Sequence, residues 1–336
     1  MTVPLDARLL WRHGEGSAVS LFNGDNNMPN WCANRLRVSG KAEDVEQALG
    51  LVRGGGRPTY GKAIRQGIGF FMAGCAGLLR PVSTVDYAPY PGLTSAGAGE
   101  NTAENRAFTA WLNRLQAGCL LTEEACASLN ELWLNVVGGL PDWSALTDAQ
   151  RDAMSTLWKR QRSGWPEAFG AADVVAAWDA VRGAEDCGAA SPPLDMLVLC
   201  PPRLEVEING FNGWLLSGVP SGHEDYVERY GTKWPEAYDL NVSWQDTAVF
   251  DADFDTPWSP PSEAVLAALS ARFDVTVDHF YAESGCDYCG FAAYSVGEQT
   301  EACSDSLEWS EEEDEDGFRE VTGPDWIVDN VAHYGG

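Results

Sequence analysis

Residues 239–296 constrain the fold of this chain most strongly, because they hold its clearest strand and helix patterns in close succession. Apolar and acidic residues alternate over 248–255, the period of two expected of a strand with one face on a core. Three prolines then end the strand, and apolar residues follow at helical spacing over 265–273. Further strands are predicted near 275–282 and 290–296. This order predicts an α+β fold with an antiparallel or mixed sheet and helices on one face.

The residues that precede this stretch predict a strand, a helix and then a long helical region. Residues 28–40 have the pattern of a short strand, and residues 45–52 have the apolar spacing of a helix that a run of three glycines terminates. Residues 57–200 carry four apolar stripes at helical spacing, one of them entered through a capping box at Thr147. Alternation over 204–208 predicts a strand, and 221–230 a short helix closed by Gly231.

Four separated segments resemble one protein family. They are MPNWCANRLRVSG at 28–40, YGTKW at 230–234, FDTPWSPP at 254–261 and YAESGCDYCGF at 281–291. Together and in this order they resemble the YubB-type family of phage and conjugative-plasmid proteins, which carry a ferredoxin-like domain. The biochemical activity of that family is not established, so the resemblance implies a fold and a mobile-element origin but no mechanism.

The resemblance covers chiefly residues 28–56 and 204–296, and it therefore implies a ferredoxin-like domain that a large α-helical insertion interrupts. The domain organisation that we predict has four parts. They are an N-terminal extension at 1–27, a split ferredoxin-like domain at 28–56 plus 201–297, the insertion at 57–200, and an acidic C-terminal segment at 298–336.

The formal charge of −28 is unevenly distributed along the chain. Residues 234–318 contain 21 acidic residues and one basic residue, Arg272, which leaves −20 in that stretch. Direct nucleic-acid binding is not expected there, because Lys and Arg make the contacts to phosphate. Attraction to a basic protein surface is expected instead. The candidate partner-binding residues are Asp251, Asp253, Asp255, Glu311, Glu312, Glu313, Asp314, Glu315 and Asp316.

The three aspartates of the alternating strand are expected to form an anionic row on one sheet face, at spacings of about 6.6–6.8 Å. They also match the first three ligand positions of an EF-hand loop. Thr256 and Ser262 replace the turn glycine and the bidentate glutamate of that motif, so a calcium loop is not predicted.

Cys286 and Cys289 form a CxxC pair that is a candidate for zinc binding or thiol redox chemistry. A structural zinc site needs four ligands, and no second CxxC is present to supply the other two. Acidic neighbours at 283 and 287 also disfavour a thiolate. We therefore predict no cofactor, with zinc as the alternative.

The composition indicates a cytoplasmic protein, and the resemblance to phage and plasmid proteins implies a bacterial host. Nine scattered cysteines fit a reducing compartment, and no apolar run reaches the length of roughly 20 residues that a membrane span needs. The four histidines are far apart, and neither HExxH nor GxSxG occurs, so catalysis is not predicted.

The function that these features favour is non-enzymatic. A mobile-element accessory protein would use its anionic surface as a nucleic-acid mimic and bind a basic host protein that normally binds nucleic acid or acts in defence. One alternative is an enzyme or metalloprotein centred on Cys286 and Cys289. Another is a scaffold whose helical insertion binds the partner, and a third is that the charge serves solubility alone.

Overall fold

The computed structural model describes residues 30–161, 164–183, 190–313, 315 and 317–336. The predicted N-terminal extension at 1–27 lies outside the described residues. The chain begins with β1 (Trp31–Ser39) and α1 (Ala42–Val52) and continues into the helical region. Its helices are α2 (Tyr60–Cys75), α3 (Ala103–Gln116), α4 (Glu123–Val137), α5 (Asp148–Arg160), α6 (Trp165–Phe169), α7 (Val174–Arg182), α8 (Met196–Leu199), α9 (Leu204–Asn209) and α10 (Gly222–Tyr230).

The remaining strands follow in the C-terminal third of the chain. They are β2 (Tyr238–Asp246), β3 (Val249–Pro257), β4 (Thr276–Glu283), β5 (Tyr288–Ser295), β6 (Glu298–Asp305), β7 (Glu308–Glu313) and β8 (Arg319–Gly323). The helix α11 (Glu263–Phe273) separates β3 from β4, and the short helix α12 (Asp325–Val328) follows β8.

The main sheet is antiparallel and has the strand order β2-β3-β1-β4-β5-β6. The succession β1, α1, β2, β3, α11, β4, with β1 between β3 and β4, is the βαββαβ arrangement of a ferredoxin-like fold. Two more strands, β5 and β6, extend the sheet beyond β4. The predicted α+β fold, with an antiparallel ferredoxin-like sheet and an α-helical insertion, is confirmed.

Helices α1 and α11 cover one face of this sheet, as the alternating pattern predicts. Leu36 and Val38 of β1 point to that face, beside Phe250 and Ala252 of β3, and all four side chains are completely buried. The opposite face is partly covered by the C-terminal residues, where Leu307, Ile327 and Val331 pack against Ala282 and Cys289 of the sheet.

The helical region has its own apolar core, built around α2. Its largest completely buried side chains include Phe70, Trp111, Trp165 and Trp178, so these three tryptophans serve packing. The predicted capping box at Thr147 is also present, with the Thr147 and Gln150 side chains each bonded to the backbone of the other. No helix in the described part of the chain is long and apolar enough to cross a membrane.

The helical region leaves the ferredoxin-like domain and returns to it at nearly the same place. The backbone N–H of Leu194 donates to the carbonyl of Val52 at 3.0 Å, and that of Ser191 donates to Gly56 at 3.3 Å. Residues 201–237 then contact both cores, because Leu204 and Ile208 lie in the helical core while Tyr226 and Tyr230 lie in the core beneath the sheet. The domain boundary at residue 201 stays a prediction.

The strand predicted at 204–208 is wrong, since these residues form the helix α9. Leu204 and Ile208 are one helical turn apart and share a face, whereas Val206 points to the opposite side, and all three are completely buried. A helix buried on opposite sides shows the same alternation as a strand, and periodicity cannot distinguish the two over so short a segment.

A glycine in α2 tests how tightly the helical core is packed. A Cβ on Gly69 would lie 2.6 Å from Cη2 of Trp133 and 2.8 Å from Cγ2 of Val181. We expect Gly69→Ala to lower the free energy of unfolding by about 1–3 kcal/mol, because the core has no room for the methyl group. The matched control is Gly50→Ala in α1, where nothing lies within 4 Å. That change is expected to raise stability by about 0.5–1 kcal/mol. Chemical denaturation of both variants measures the difference, and equal effects would contradict the tight packing.

Candidate functional site

The three aspartates of β3 share one face of the sheet, but they do not form the solvated anionic row that the sequence suggests. Strand register places Arg37 opposite Asp251 and Arg35 opposite Asp253. The arginine Nε atoms lie 2.8 Å and 2.6 Å from the respective carboxylate oxygens. Asp255 is engaged by Nε2 of His333 at 3.0 Å. The charge of this row is therefore largely compensated within the molecule.

Asp251 is the most buried member of the row, with 4% of its surface exposed. Burial alone would raise the pKa of this carboxyl. Hydrogen bonds from Arg37 and from Gln245, whose Nε2 lies 2.9 Å away, more than offset burial and hold the pKa below its usual value. The arginine partners were not inferred from the sequence, although Arg35 and Arg37 alternate in β1 as the aspartates do in β3.

An exposed acidic surface, which we call the acidic edge, lies in the C-terminal third of the chain. We define it by Glu298, Glu301 and Asp305 of β6, Glu308, Glu311, Glu312 and Glu313 of β7, Glu315, and Glu320 of β8. Every residue of β6 is exposed, as expected for a segment whose charges repel each other. The predicted site residues Asp314 and Asp316 lie outside the described residues.

The acidic edge is built on ordered strands rather than on an irregular acidic tail. β6 pairs with β5 along its length and forms one border of the main sheet. β7 and β8 form a hairpin. Trp309 of β7 joins this hairpin to the rest of the domain, because it packs against the cluster of Leu307, Ile327 and Val331 and its Nε1 donates to Asp287 at 2.9 Å. Arg319 lies 3.8 Å from Glu313 and neutralises little of this surface.

Cys286 and Cys289 lie at the β4–β5 hairpin, as predicted, but in different environments. Cys286 is exposed, and the buried carboxylate of Glu283 accepts hydrogen bonds from the N–H groups of Gly285 and Cys286 at 2.8 Å and 2.7 Å. The hydrogen bond between the Cys286 thiol and Glu283, together with the negative charge of the Glu283 carboxylate, raises the pKa of Cys286. Burial raises the pKa of Cys289 to about 11.

Neither thiol is therefore activated. Among the described residues, no group of three or more His, Cys, Asp or Glu side chains has an arrangement that could hold a metal ion. Zinc at this hairpin stays a hypothesis.

The four segments that carry the family resemblance meet at one end of the sheet, around the turn at residues 256–259. We call this place the motif junction. The N–H of Trp258 donates to the carbonyl of Asn30 at 2.9 Å, and the Trp258 carbonyl accepts from the hydroxyl of Tyr288 at 2.9 Å. The hydroxyl of Thr232 donates to the carbonyl of Pro257 at 3.0 Å. Each of the other three segments thus shares at least one hydrogen bond with this turn.

A buried chain of polar side chains fixes the same turn from beneath the sheet. Nε2 of His279 lies 3.0 Å from Oδ1 of Asn34, and Nδ2 of Asn34 donates to the Thr256 hydroxyl at 2.9 Å. Thr256 in turn donates to the carbonyl of Ser259 at 2.8 Å. Since the amide nitrogen of Asn34 is already donating, its oxygen faces His279, and His279 carries its proton on Nε2. Burial lowers the pKa of His279 to about 3, so it is neutral in the folded protein.

Aromatic side chains surround the motif junction. Trp31, Trp234 and Tyr238 pack with ring centroids 5.1–6.4 Å apart. The ammonium of Lys233 lies 4.4 Å from the ring centroid of Trp234 and 5.1 Å from that of Trp258. A cleft of about 180 Å³ opens beside Trp258. Sequence reasoning did not identify this site. The signal was available in the four motifs, but their proximity depends on strand pairing.

The fold and the motif junction define an α+β protein in which a helical region interrupts a ferredoxin-like sheet. Residues 57–234 match the family model described as "Protein of unknown function (DUF1281)". Residues 237–325 match the model described as "Ferredoxin-like domain in Api92-like protein". Since the first model alone spans more than half of the chain, this chain belongs to the DUF1281 family.

Similar proteins occur in two bacterial species. The uncharacterized protein YubB of Escherichia coli K12 is 50% identical over 144 residues, which are 43% of this chain and 99% of YubB. YubA of the same strain is 41% identical over 152 residues, 45% of this chain and 90% of YubA. The crystal structure of api92 from Yersinia pseudotuberculosis aligns over 84% of this chain and 99% of that chain, with 31% identity and a TM-score of 0.74. The resemblance to YubB-type proteins is thus confirmed.

The buried histidine generates a prediction about acid stability. His279 is neutral in the folded state, whereas an unfolded chain protonates this ring below a pH of about 6.5. Protonation of His279 in the unfolded chain alone therefore lowers the free energy of unfolding as pH falls from about 6.5 toward 3. The decrease is up to about 1.4 kcal/mol per pH unit. His279→Gln keeps a donor for Asn34 and removes this titration. We expect the stability advantage of the wild type over the variant to shrink by about 2 kcal/mol between pH 7 and pH 5. Denaturation at each pH measures it, and a constant difference would show that His279 is not buried as a neutral group.

Proposed function

We propose that this protein is a mobile-element accessory protein that acts through protein–protein interaction. In this proposal the acidic edge occupies a basic surface of a host protein that normally binds nucleic acid or acts in defence. The observation that carries the proposal is the ordered and exposed array of carboxylates on β6 and β7. Residues 298–323 contain eleven acidic residues and one arginine.

An ordered acidic surface is suited to competition with nucleic acid. Duplex DNA carries one charge per ~1.7 Å of its axis, and its binding proteins meet that charge with Lys and Arg. Carboxylates fixed on a strand can meet the same side chains, and because the backbone is already ordered, binding loses less conformational entropy than the ordering of a flexible tail.

The proposal rests on the acidic edge and less on the aspartate row. Asp251 and Asp253 are already paired with Arg37 and Arg35, so contact with a partner would have to compete with these internal ion pairs. A direct partner role for Asp251, Asp253 and Asp255 stays a prediction. Glu311, Glu312, Glu313 and Glu315 are exposed and remain the favoured contacts.

The strongest competing explanation is that the charge protects the sheet border. An unpaired edge strand is a template for aggregation, and charged side chains on it prevent pairing with another chain. This explanation and the proposal differ in one respect: only the proposal requires a partner whose affinity depends on these particular carboxylates.

The proposal also places the protein in the cytoplasm of a bacterial host, where nucleic-acid-binding proteins are accessible. The cysteines in the described part of the chain are all free thiols, which supports a reducing compartment. The thiol or metal alternative is less favoured because the pKa values of Cys286 and Cys289 are both raised.

A charge-matched comparison tests the acidic edge. The edge variant replaces five exposed glutamates of β6 and β7 by glutamine, namely Glu298, Glu301, Glu311, Glu312 and Glu313. The control variant replaces five exposed carboxylates of α1, α4 and α5 by the corresponding amides, namely Glu43, Glu46, Glu124, Glu131 and Asp152. Both variants have the same net charge.

We expect the wild type to capture basic nucleic-acid-binding proteins from host extract at 50 mM salt and to release them when duplex DNA is added. For each purified partner, the edge variant should bind about tenfold or more weakly and with a shallower salt dependence, and the control should bind like the wild type. Equal losses of affinity in both variants would show that net charge alone determines binding. Unchanged affinity in both variants would contradict the proposal.

A double variant tests the thiol alternative. We expect Cys286→Ser with Cys289→Ser to leave partner affinity within about twofold of wild type, because neither thiol is activated and neither lies on the acidic edge. Titration of the purified partner measures this affinity. A loss of affinity comparable to that of the edge variant would instead indicate that the β4–β5 hairpin with Cys286 and Cys289 is the functional site.

A further inference from the structure

The cleft at the motif junction differs in charge from the rest of this acidic chain. It is lined by His223 and Val227 of α10, by residues 231–233 and by residues 257–259. Among the described residues that line it, His223 and Lys233 are basic and none is Asp or Glu. In a chain with 50 acidic and 22 basic residues, this composition makes the cleft complementary to a negatively charged group.

Trp258 lines this cleft and is partly exposed. Half of the residue is exposed, at 52%, although tryptophan is normally mostly buried. Its backbone has a φ of +75°, a left-handed conformation that is strained for a bulky side chain. Such strain persists only where the surroundings enforce it. Here the Asn30 carbonyl accepts from Trp258, Thr232 and Tyr288 donate to the turn, and Thr256 donates to Ser259 within it. The fold thus holds an exposed indole in one position at a conformational cost.

The size of the cleft limits its occupant. A cavity of about 150 Å³ accommodates benzene, so a cleft of about 180 Å³ that is open to solvent holds a planar group of one or two rings. We propose that the cleft binds a nucleoside monophosphate. The base would stack on the exposed indole of Trp258, and the phosphate would lie against the positive charge of Lys233 and the imidazole of His223.

The elements of this site suit their roles. Stacking on an aromatic side chain accepts any base, since every base has a π face. The ammonium of Lys233 lies over the ring of Trp258, 5.1 Å from its centroid. In this proposal the flexible Lys233 side chain moves off the indole to meet the phosphate, and the base takes its place on the ring. Phe211 stacks edge-to-face on His223 at 5.6 Å and holds the imidazole at the cleft border. This inference is independent of the acidic edge.

Binding of AMP to the full chain tests the site. Calorimetry and saturation-transfer NMR compare AMP with adenosine and with inorganic phosphate. We expect saturable binding of AMP and binding about tenfold weaker for each of its halves. Trp258→Gly removes the ring and is compatible with the left-handed backbone, so this variant is expected to fold at least as stably as wild type. It should bind AMP about tenfold more weakly, as should Lys233→Gln.

Two controls separate the site from general effects. Trp244 is an exposed indole near the opposite end of the β2–β3 hairpin, and Trp244→Ala should leave AMP affinity unchanged. The edge variant should also bind AMP like the wild type. Absence of saturable AMP binding, or equal affinity in Trp258→Gly, Lys233→Gln and Trp244→Ala, would overturn the proposal. Tighter binding of the peptide Glu-Phe-Glu than of AMP would assign the cleft to a protein partner and would overturn it as well.

Discussion

The pairing of β1 with β3 is the interaction on which the rest of the structure depends. β1 occupies the centre of the ferredoxin-like arrangement, yet Arg35 and its partner Asp253 are 218 positions apart in the chain. The entropy of closing so long a loop opposes this pairing. The helical region offsets much of that cost, because a folded insertion whose ends lie together behaves as a short connection. The Arg–Asp pairs across the two strands then fix the register.

This register explains both what the sequence predicts and what it does not. The alternation in β3 and the helical spacing in α3, α4, α5 and α7 arise from one buried face, and such local patterns are visible without any partner. The compensation of Asp251 and Asp253 is not local, because it requires Arg37 and Arg35 to lie directly opposite. The signal available in the sequence was that arginines alternate in β1 as aspartates alternate in β3. α9 shows the converse case, since its alternation is local and genuine but reflects burial on opposite sides of a helix.

The same reasoning applies to the candidate sites. Residues 298–316 read as an acidic segment, and nothing in their composition shows that residues 298–305 pair with β5, since β6 has no buried face to produce an apolar period. The motif junction depends on four segments that the sequence shows only as separate signatures. Trp258 illustrates the limit most clearly: several tryptophans of the helical region are core residues, and nothing in the local sequence shows that Trp258 is exposed instead.

The helical region leaves the sheet after α1 and returns within hydrogen-bonding distance of its point of departure, at Val52 and Leu194. For the sheet, everything between these two residues is equivalent to a tight turn. A module attached in this way can be lengthened, shortened or exchanged while the strand register stays the same. The ferredoxin-like sheet and the helical region can therefore diverge at different rates within one gene. The sheet is constrained by pairing across the whole chain, and the helical region by its own core, to which Leu204 and Ile208 also belong.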